Sequence, residues 1–169
     1  EALGKAFADA DVVVHLAFLI TGNASRETTR AINVDGTLNT FRAAAAAGAR
    51  RFVYASSVAA YGFHRDNPIG MTEDWPVRPA DRLFYAREKA ELEALLAQEA
   101  AEHPELALYL LRPPIVLGPN TIGAKDLLPG PLAPLVRQLL SRPRRLPVPL
   151  PAVVPAHPLQ FIHEDDVGQ

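Results

Sequence analysis

Asp11-Val12-Val13-Val14-His15-Leu16-Ala17-Phe18 is the stretch whose reading decides the fold. It is a near-continuous run of apolar, β-branched residues, the pattern of a strand buried on both faces of a parallel sheet. Arg51-Phe52-Val53-Tyr54-Ala55 repeats the pattern and runs into Ser56-Ser57. A third such run lies within Leu106 to Val116 and breaks at Pro113-Pro114, because proline cannot donate to a strand ladder. The first ten residues read as the tail of a helix, with Leu3, Ala6 and Phe7 on one side. Between the first two strands the spacing of Val34, Leu38, Phe41 and Ala45 predicts a helix over 25–47, capped by Ser25 or Asn23 and ended by Gly48. Gly36 in its middle costs about 1 kcal/mol relative to Ala, and close approach of a neighbouring backbone is the expected reason for it. A loop with Gly62, Pro68, Gly70, Pro76 and Pro79 separates the second strand from a helix that opens at Tyr85 and ends near His103-Pro104. The order β-α-β-loop-α-β implies right-handed crossovers and a doubly wound parallel sheet.

The chain has 169 residues, a formal net charge of −2 and a pI near 6.2. That balance gives no reason to expect nucleic acid or an anionic membrane as partner. The basic cluster Arg142, Arg144 and Arg145 sits among prolines and reads as a solvated loop. There is no cysteine, so disulfides, thiolate catalysis and Cys-ligated zinc are excluded, in keeping with a reducing cytoplasm. No apolar run approaches bilayer-spanning length. Twelve of the sixteen prolines lie between Pro113 and Pro158, which marks 119–169 as an irregular lid or substrate-binding segment with one short helix at 132–140. Phe161-Ile162-His163 reads as a last short strand, and Asp165-Asp166-Val167 as a helix start.

Tyr85-Ala86-Arg87-Glu88-Lys89 carries the chemistry. Residues four apart share a helix face, so the phenol and the ammonium lie one turn from each other. Helical spacing continues to Leu92 and Leu96, which puts the lysine on the apolar stripe. Arg87, Glu88, Glu91 and Glu102 can face water. In open parallel sheets ligands bind beyond the carboxyl ends of the strands. There His15-Leu16-Ala17-Phe18, Ser56-Ser57 and the start of the Tyr85 helix converge. A nearby ammonium favours the phenolate form of a tyrosine, so Tyr85 could exchange a proton with an alcohol or carbonyl oxygen that Ser57 holds. Lys89 keeps donors for a ribose hydroxyl, and the hydride that completes such a reaction needs a nicotinamide.

In these residues the chain resembles the extended short-chain dehydrogenase/reductase family, the NAD-dependent epimerase/dehydratase group. His15-Leu16-Ala17 resembles its strand-end motif, Asn33-Val34-Asp35-Gly36-Thr37 its Asn-Val-x-Gly-Thr helix, and Ser56-Ser57-Val58-Ala59-Ala60-Tyr61-Gly62 its serine segment. Thr72-Glu73-Asp74, Tyr85-x-x-x-Lys89, Leu111-Arg112-Pro113 with Gly118-Pro119, and Phe161-Ile162-His163 with Asp166-Val167 follow in the family's order. The resemblance implies a Rossmann-like fold: a partial NAD(P)-binding domain over 1–118, then the substrate segment. It implies Ser57, Tyr85 and Lys89 as the catalytic set. NAD or NADP would be held by Leu16, Ala17, Ser56, Tyr85, Lys89 and the backbone at Pro113. Dimerisation through the helices of the Asn33 and Tyr85 segments is also implied, with a small molecule as substrate and no metal.

Three departures accompany it. None of the ten glycines forms the Gly-rich phosphate turn, and the chain begins without Met in what reads as mid-helix, so a fragment lacking the first βαβ part is expected. Pro114-Ile115 stands where members acting on nucleotide sugars carry Asn, which favours weighing a carbonyl or hydroxysteroid-type reductase beside an epimerase or dehydratase. Phe18 replaces a small residue and narrows the pocket. A non-catalytic NAD(P)-sensing protein on the same fold is the reading from a different class. Several residues have two readings. Tyr61 rivals Tyr85 but sits beside Gly62, where it packs or lines the pocket. His15 is a structural hydrogen-bonder or a base. Asn33 is a proton-relay member or a backbone partner, and Arg112 pairs with a carboxylate or binds an anion. Ser56 is a cofactor or turn contact. His163 with Glu164, Asp165 and Asp166 is an acidic helix start or a metal site.

Overall fold

A computed structural model describes residues 2–20, 24–118 and 160–167. The chain divides into two units, Glu1–Pro114 and Ile115–Gln169. In the first, α1 (Ala2–Ala6), β1 (Val12–His15), α2 (Arg26–Arg30), a π-helical turn (Ala31–Asp35), α3 (Gly36–Ala46), β2 (Arg51–Ala55), a 3-10 turn (Val58–Tyr61), α4 (Phe84–Glu102) and β3 (Ala107–Leu111) follow one another. The strands form a parallel sheet in the order β1-β2-β3. Its register is fixed by Val13↔Phe52 and Phe52↔Leu108, and one step on by His15↔Tyr54 and Tyr54↔Leu110. β1 ends at His15, so Leu16-Ala17-Phe18 leave the sheet at its carboxyl edge.

Side chains alternate across a strand, and the register sorts them onto two faces. Val13, Phe52 and Tyr54 pack with Val34, Phe41 and Ala44 from the first crossover and Leu92 and Leu96 from α4. Leu108 and Leu110 join them from β3. Phe41 meets Phe52 edge to face, with ring centroids 5.1 Å apart. The other face carries Val12, Val14, Tyr109 and Leu111, all exposed. The expectation that β1 is buried on both faces is therefore corrected: Val14 is 56% exposed. Two crossovers of one hand, stepping the same way along the sheet, place both helices on one side.

Ser25 caps the first crossover as expected, its Oγ accepting from the Thr28 N–H at 3.1 Å. The helix then widens into the π turn at Ala31–Asp35 before continuing as α3. Gly36 does not meet a neighbouring backbone. A Cβ there would find only the Ala31 carbonyl, at an ordinary 3.7 Å. The close approach lies at Gly62, which has φ +71° and ends the Val58–Tyr61 turn; a Cβ there would fall 2.1 Å from the Arg78 carbonyl oxygen. The second unit holds β4 (Ile115–Leu117) paired parallel to β5 (Phe161–His163), then a 3-10 turn at Glu164–Asp166. The third run of the sequence thus splits at Pro113-Pro114 into two strands of different sheets. The helix expected at 132–140 and most of the lid segment lie outside the described residues. No helix among the described residues is long and apolar enough to cross a membrane.

Candidate active site

Lys89 is 3% exposed although it carries an ammonium group. The helical repeat places it on the buried stripe of α4 with Leu92, Glu93 and Leu96. Burial of a cation demands partners, and these come from β2. The ammonium donates to the Ala55 carbonyl at 2.7 Å and to the Tyr54 hydroxyl at 3.2 Å. It also lies 3.9 Å from the centroid of the Phe18 ring and 5.8 Å from that of Tyr85. Burial pushes its pKa down to about 8, against an opposing pull from Glu93. Burial likewise raises the Tyr54 phenol above its ordinary value, with Tyr85 and then Glu93 adding to the effect.

Tyr85, in the first turn of α4, meets Phe18 edge to face at 5.5 Å. Ser57 follows β2 in extended conformation, and its Oγ accepts from the Ala59 N–H at 3.2 Å, capping the short turn against which α4 packs. Leu16 and Ala17 are exposed at the carboxyl edge of β1. Pro113 presents its carbonyl to the Val58 N–H at 3.2 Å, which ties the end of β3 to the serine segment.

Beneath the serine segment lies a carboxylate that the sequence reading missed. Glu93 is 5% exposed and accepts the Ser56 hydroxyl together with Arg112, whose Nη2 donates at 2.7 Å and Nε at 3.0 Å. Its signal was the same four-residue step that links Tyr85 to Lys89, carried one turn further. Ser56 makes a turn contact: its N–H donates to the Leu111 carbonyl at 2.7 Å and its hydroxyl to Glu93, which leaves the hydroxyl oxygen only as an acceptor. Arg112 pairs with a carboxylate, as one of its two readings held, and its other Nη donates to the Tyr61 hydroxyl at 2.6 Å. The Glu93 contact raises the Arg112 pKa further. Tyr61 is buried under that guanidinium and packs; its hydroxyl donates to the Thr72 carbonyl at 3.2 Å.

Asn33, fully buried in the π turn, clamps the connection after β1. Its Oδ1 accepts the Leu19 N–H at 2.7 Å, and its Nδ2 donates to the Leu19 carbonyl at 3.0 Å and to Glu88 at 2.9 Å. Glu88 therefore does not simply face water. His15 reaches the Thr37 hydroxyl at 3.0 Å. That hydroxyl donates to the Asn33 carbonyl, so it accepts from His15, whose proton sits on Nε2. Burial, then the charge of Lys89, hold the imidazole below its ordinary pKa. In the second unit His163 accepts the Asp165 N–H at 3.3 Å and caps its turn.

The sequence model of a family described as NAD dependent epimerase/dehydratase matches residues 1–166. UDP-glucose 4-epimerase 2 of Oryza sativa subsp. japonica is 31% identical over 151 residues, which cover 82% of this chain and 35% of the rice protein. A 3beta-hydroxysteroid-dehydrogenase/decarboxylase, isoform 1, of Arabidopsis thaliana is 32% identical over 118 residues, 69% of this chain and 26% of that one. Among solved structures, a short-chain dehydrogenase/reductase superfamily protein of Agrobacterium tumefaciens with NAD bound is similar with a TM-score of 0.61 and 29% identity, over 82% of this chain and 43% of its own. That likeness bears out the Rossmann-like reading of the sheet. The chain spans about a third of the length of the first curated relatives it matches, 31% to 36%.

Proposed function

The chain belongs to the NAD-dependent epimerase/dehydratase family, and on that footing we propose that it carries the proton-transfer half of an NAD(P)-dependent oxidoreductase site. The observation that carries this reading is Lys89: a buried ammonium held at the carboxyl edge of the sheet, one helical turn from Tyr85. The donor set suits the nicotinamide-ribose end of a dinucleotide, where Lys89 would hold a ribose hydroxyl and the exposed Leu16 and Ala17 would line the path. The nicotinamide, when bound, accepts or supplies the hydride. Tyr85 is the general acid/base: it takes the proton of a secondary alcohol as the hydride leaves the carbinol carbon, and returns it to the carbonyl oxygen in reverse. Ser57 hydrogen-bonds the same oxygen and fixes its distance from Tyr85. Glu93, through Ser56 and Arg112, holds the serine segment in place.

A reductase of the carbonyl or hydroxysteroid type is the second reading. Pro114-Ile115 favours it, and the similarity to the Arabidopsis dehydrogenase/decarboxylase agrees with it. A net change in NADH, consumed with a carbonyl substrate or formed with its alcohol, marks the reductase, since an epimerase returns the hydride. For the shared chemistry, Tyr85→Phe in the complete protein is expected to lower kcat by roughly 10²- to 10⁴-fold, the span of general acid/base catalysis, with only a small loss of NADH binding by calorimetry. Retained turnover would remove Tyr85 from the role.

A further inference from the structure

The Phe18 ring lies against the Lys89 ammonium. An ammonium has three N–H donors. Two of those of Lys89 go to the Ala55 carbonyl and the Tyr54 hydroxyl. The third side of the nitrogen is occupied by the Phe18 ring face, 3.9 Å away at its centroid, within the range at which a cation is held by a ring quadrupole. The same ring turns its edge contact to Tyr85, at 5.5 Å and an interplanar angle of 89°. One side chain thus touches both members of the Tyr85–Lys89 pair.

We propose that Phe18 is a cover over the ribose anchor, competing with the cofactor's ribose diol for the free side of Lys89 and leaving by rotation of its own side chain. The proposal rests on the cofactor reading above. Rotation rather than loop opening follows from the neighbouring backbone. Leu19, the next residue, is held at both its N–H and its carbonyl by Asn33. The ring would turn to the side where, among the described residues, Leu16 is 70% exposed and Ile20 55% exposed. The cover has two effects. Without cofactor it gives the buried ammonium its nearest ring contact, closer than the Tyr54 ring at 4.7 Å. With cofactor its displacement is subtracted from the binding free energy, so this chain holds the dinucleotide more weakly than the same site with a small residue at position 18.

The test uses the complete protein with Phe18→Ala, and with Phe18→Leu, which keeps apolar bulk and removes the ring face. Lys89 is read directly by the rate of acetic anhydride acylation, mapped by mass spectrometry and normalised to the exposed Lys5. NADH affinity is read by calorimetry. Both variants are expected to raise Lys89 acylation without cofactor, and Phe18→Ala to bind NADH about 30-fold tighter, the scale of a desolvated cation–ring contact. A Lys89→Met background should erase that gain. Unchanged Lys89 acylation in both variants overturns the cover. Raised acylation with equal NADH affinity in wild type and Phe18→Ala overturns the competition. Raised acylation with no NADH binding by any form keeps the cover, overturns the competition and defeats the cofactor reading itself.

Discussion

At the scale of single residues, Lys89 concentrates both the cost and the use of the site. Its pKa in the folded protein, about 8, lies below the 10.5 of an ordinary lysine. Between those values the unfolded chain binds the extra proton, so stability climbs as pH rises through the window. Tyr54 acts with the opposite sign. Its phenol is held above the ordinary 10.0, so the unfolded chain loses that proton first and stability declines above about pH 10. Thermal unfolding followed by circular dichroism should therefore show a midpoint that rises from pH 8 toward pH 10 in the wild type. Lys89→Met should flatten the rise; equal slopes in both proteins would show that the ammonium is not the cause. Lys89 was legible as a charge on an apolar stripe because helical spacing is local. Its partners were not. Tyr54 and Ala55 lie 35 and 34 residues away in sequence, and only the closed sheet brings them within hydrogen-bond reach.

At the scale of elements, the joint between α4, β3 and the serine turn is electrostatic. Glu93 and Arg112 are both largely buried, with side chains 6% and 15% exposed. Removing one partner of such a pair leaves an uncompensated charge, which costs more than the pair contributes. Glu93→Gln is expected to lower stability by about 3 kcal/mol, measured by urea denaturation. Adding Arg112→Leu should recover part of the loss. A double variant as unstable as the single one would mean that packing, not the stranded guanidinium, sets the cost. Helix positions, the Ser25 cap and the break at Pro113-Pro114 were all readable, since each rests on short-range stereochemistry. The π turn was not. Ala31-Ile32-Asn33-Val34-Asp35 has no composition that separates a wide turn from an α-helical one, and the Asn33 contacts to Leu19 and Glu88 that accompany the turn come from outside the helix.

At the scale of the molecule, the succession of strands and helices was legible because each strand of the three-stranded sheet is a short apolar run set between helical stretches. Which face each residue serves was not. Val12, Val13 and Val14 are identical in sequence, yet only Val13 is in the core, because topology and not composition decides where the helices go. The open face has a practical meaning for the 169 residues handled by themselves. Val12 and Val14 on β1 and Tyr109 and Leu111 on β3 flank Val53 and Ala55 of the middle strand on this face, and an apolar patch of that kind favours association. Salting-out anions strengthen apolar burial, so such a preparation should fail by clouding before it fails by melting. Light scattering during ammonium sulfate titration is expected to show early onset, and Val14→Lys with Tyr109→Lys to delay it while the far-ultraviolet spectrum stays the same. An onset that does not move would exonerate this face. A delayed onset would place the limit on solubility of the isolated chain on this side of the sheet and not in its core.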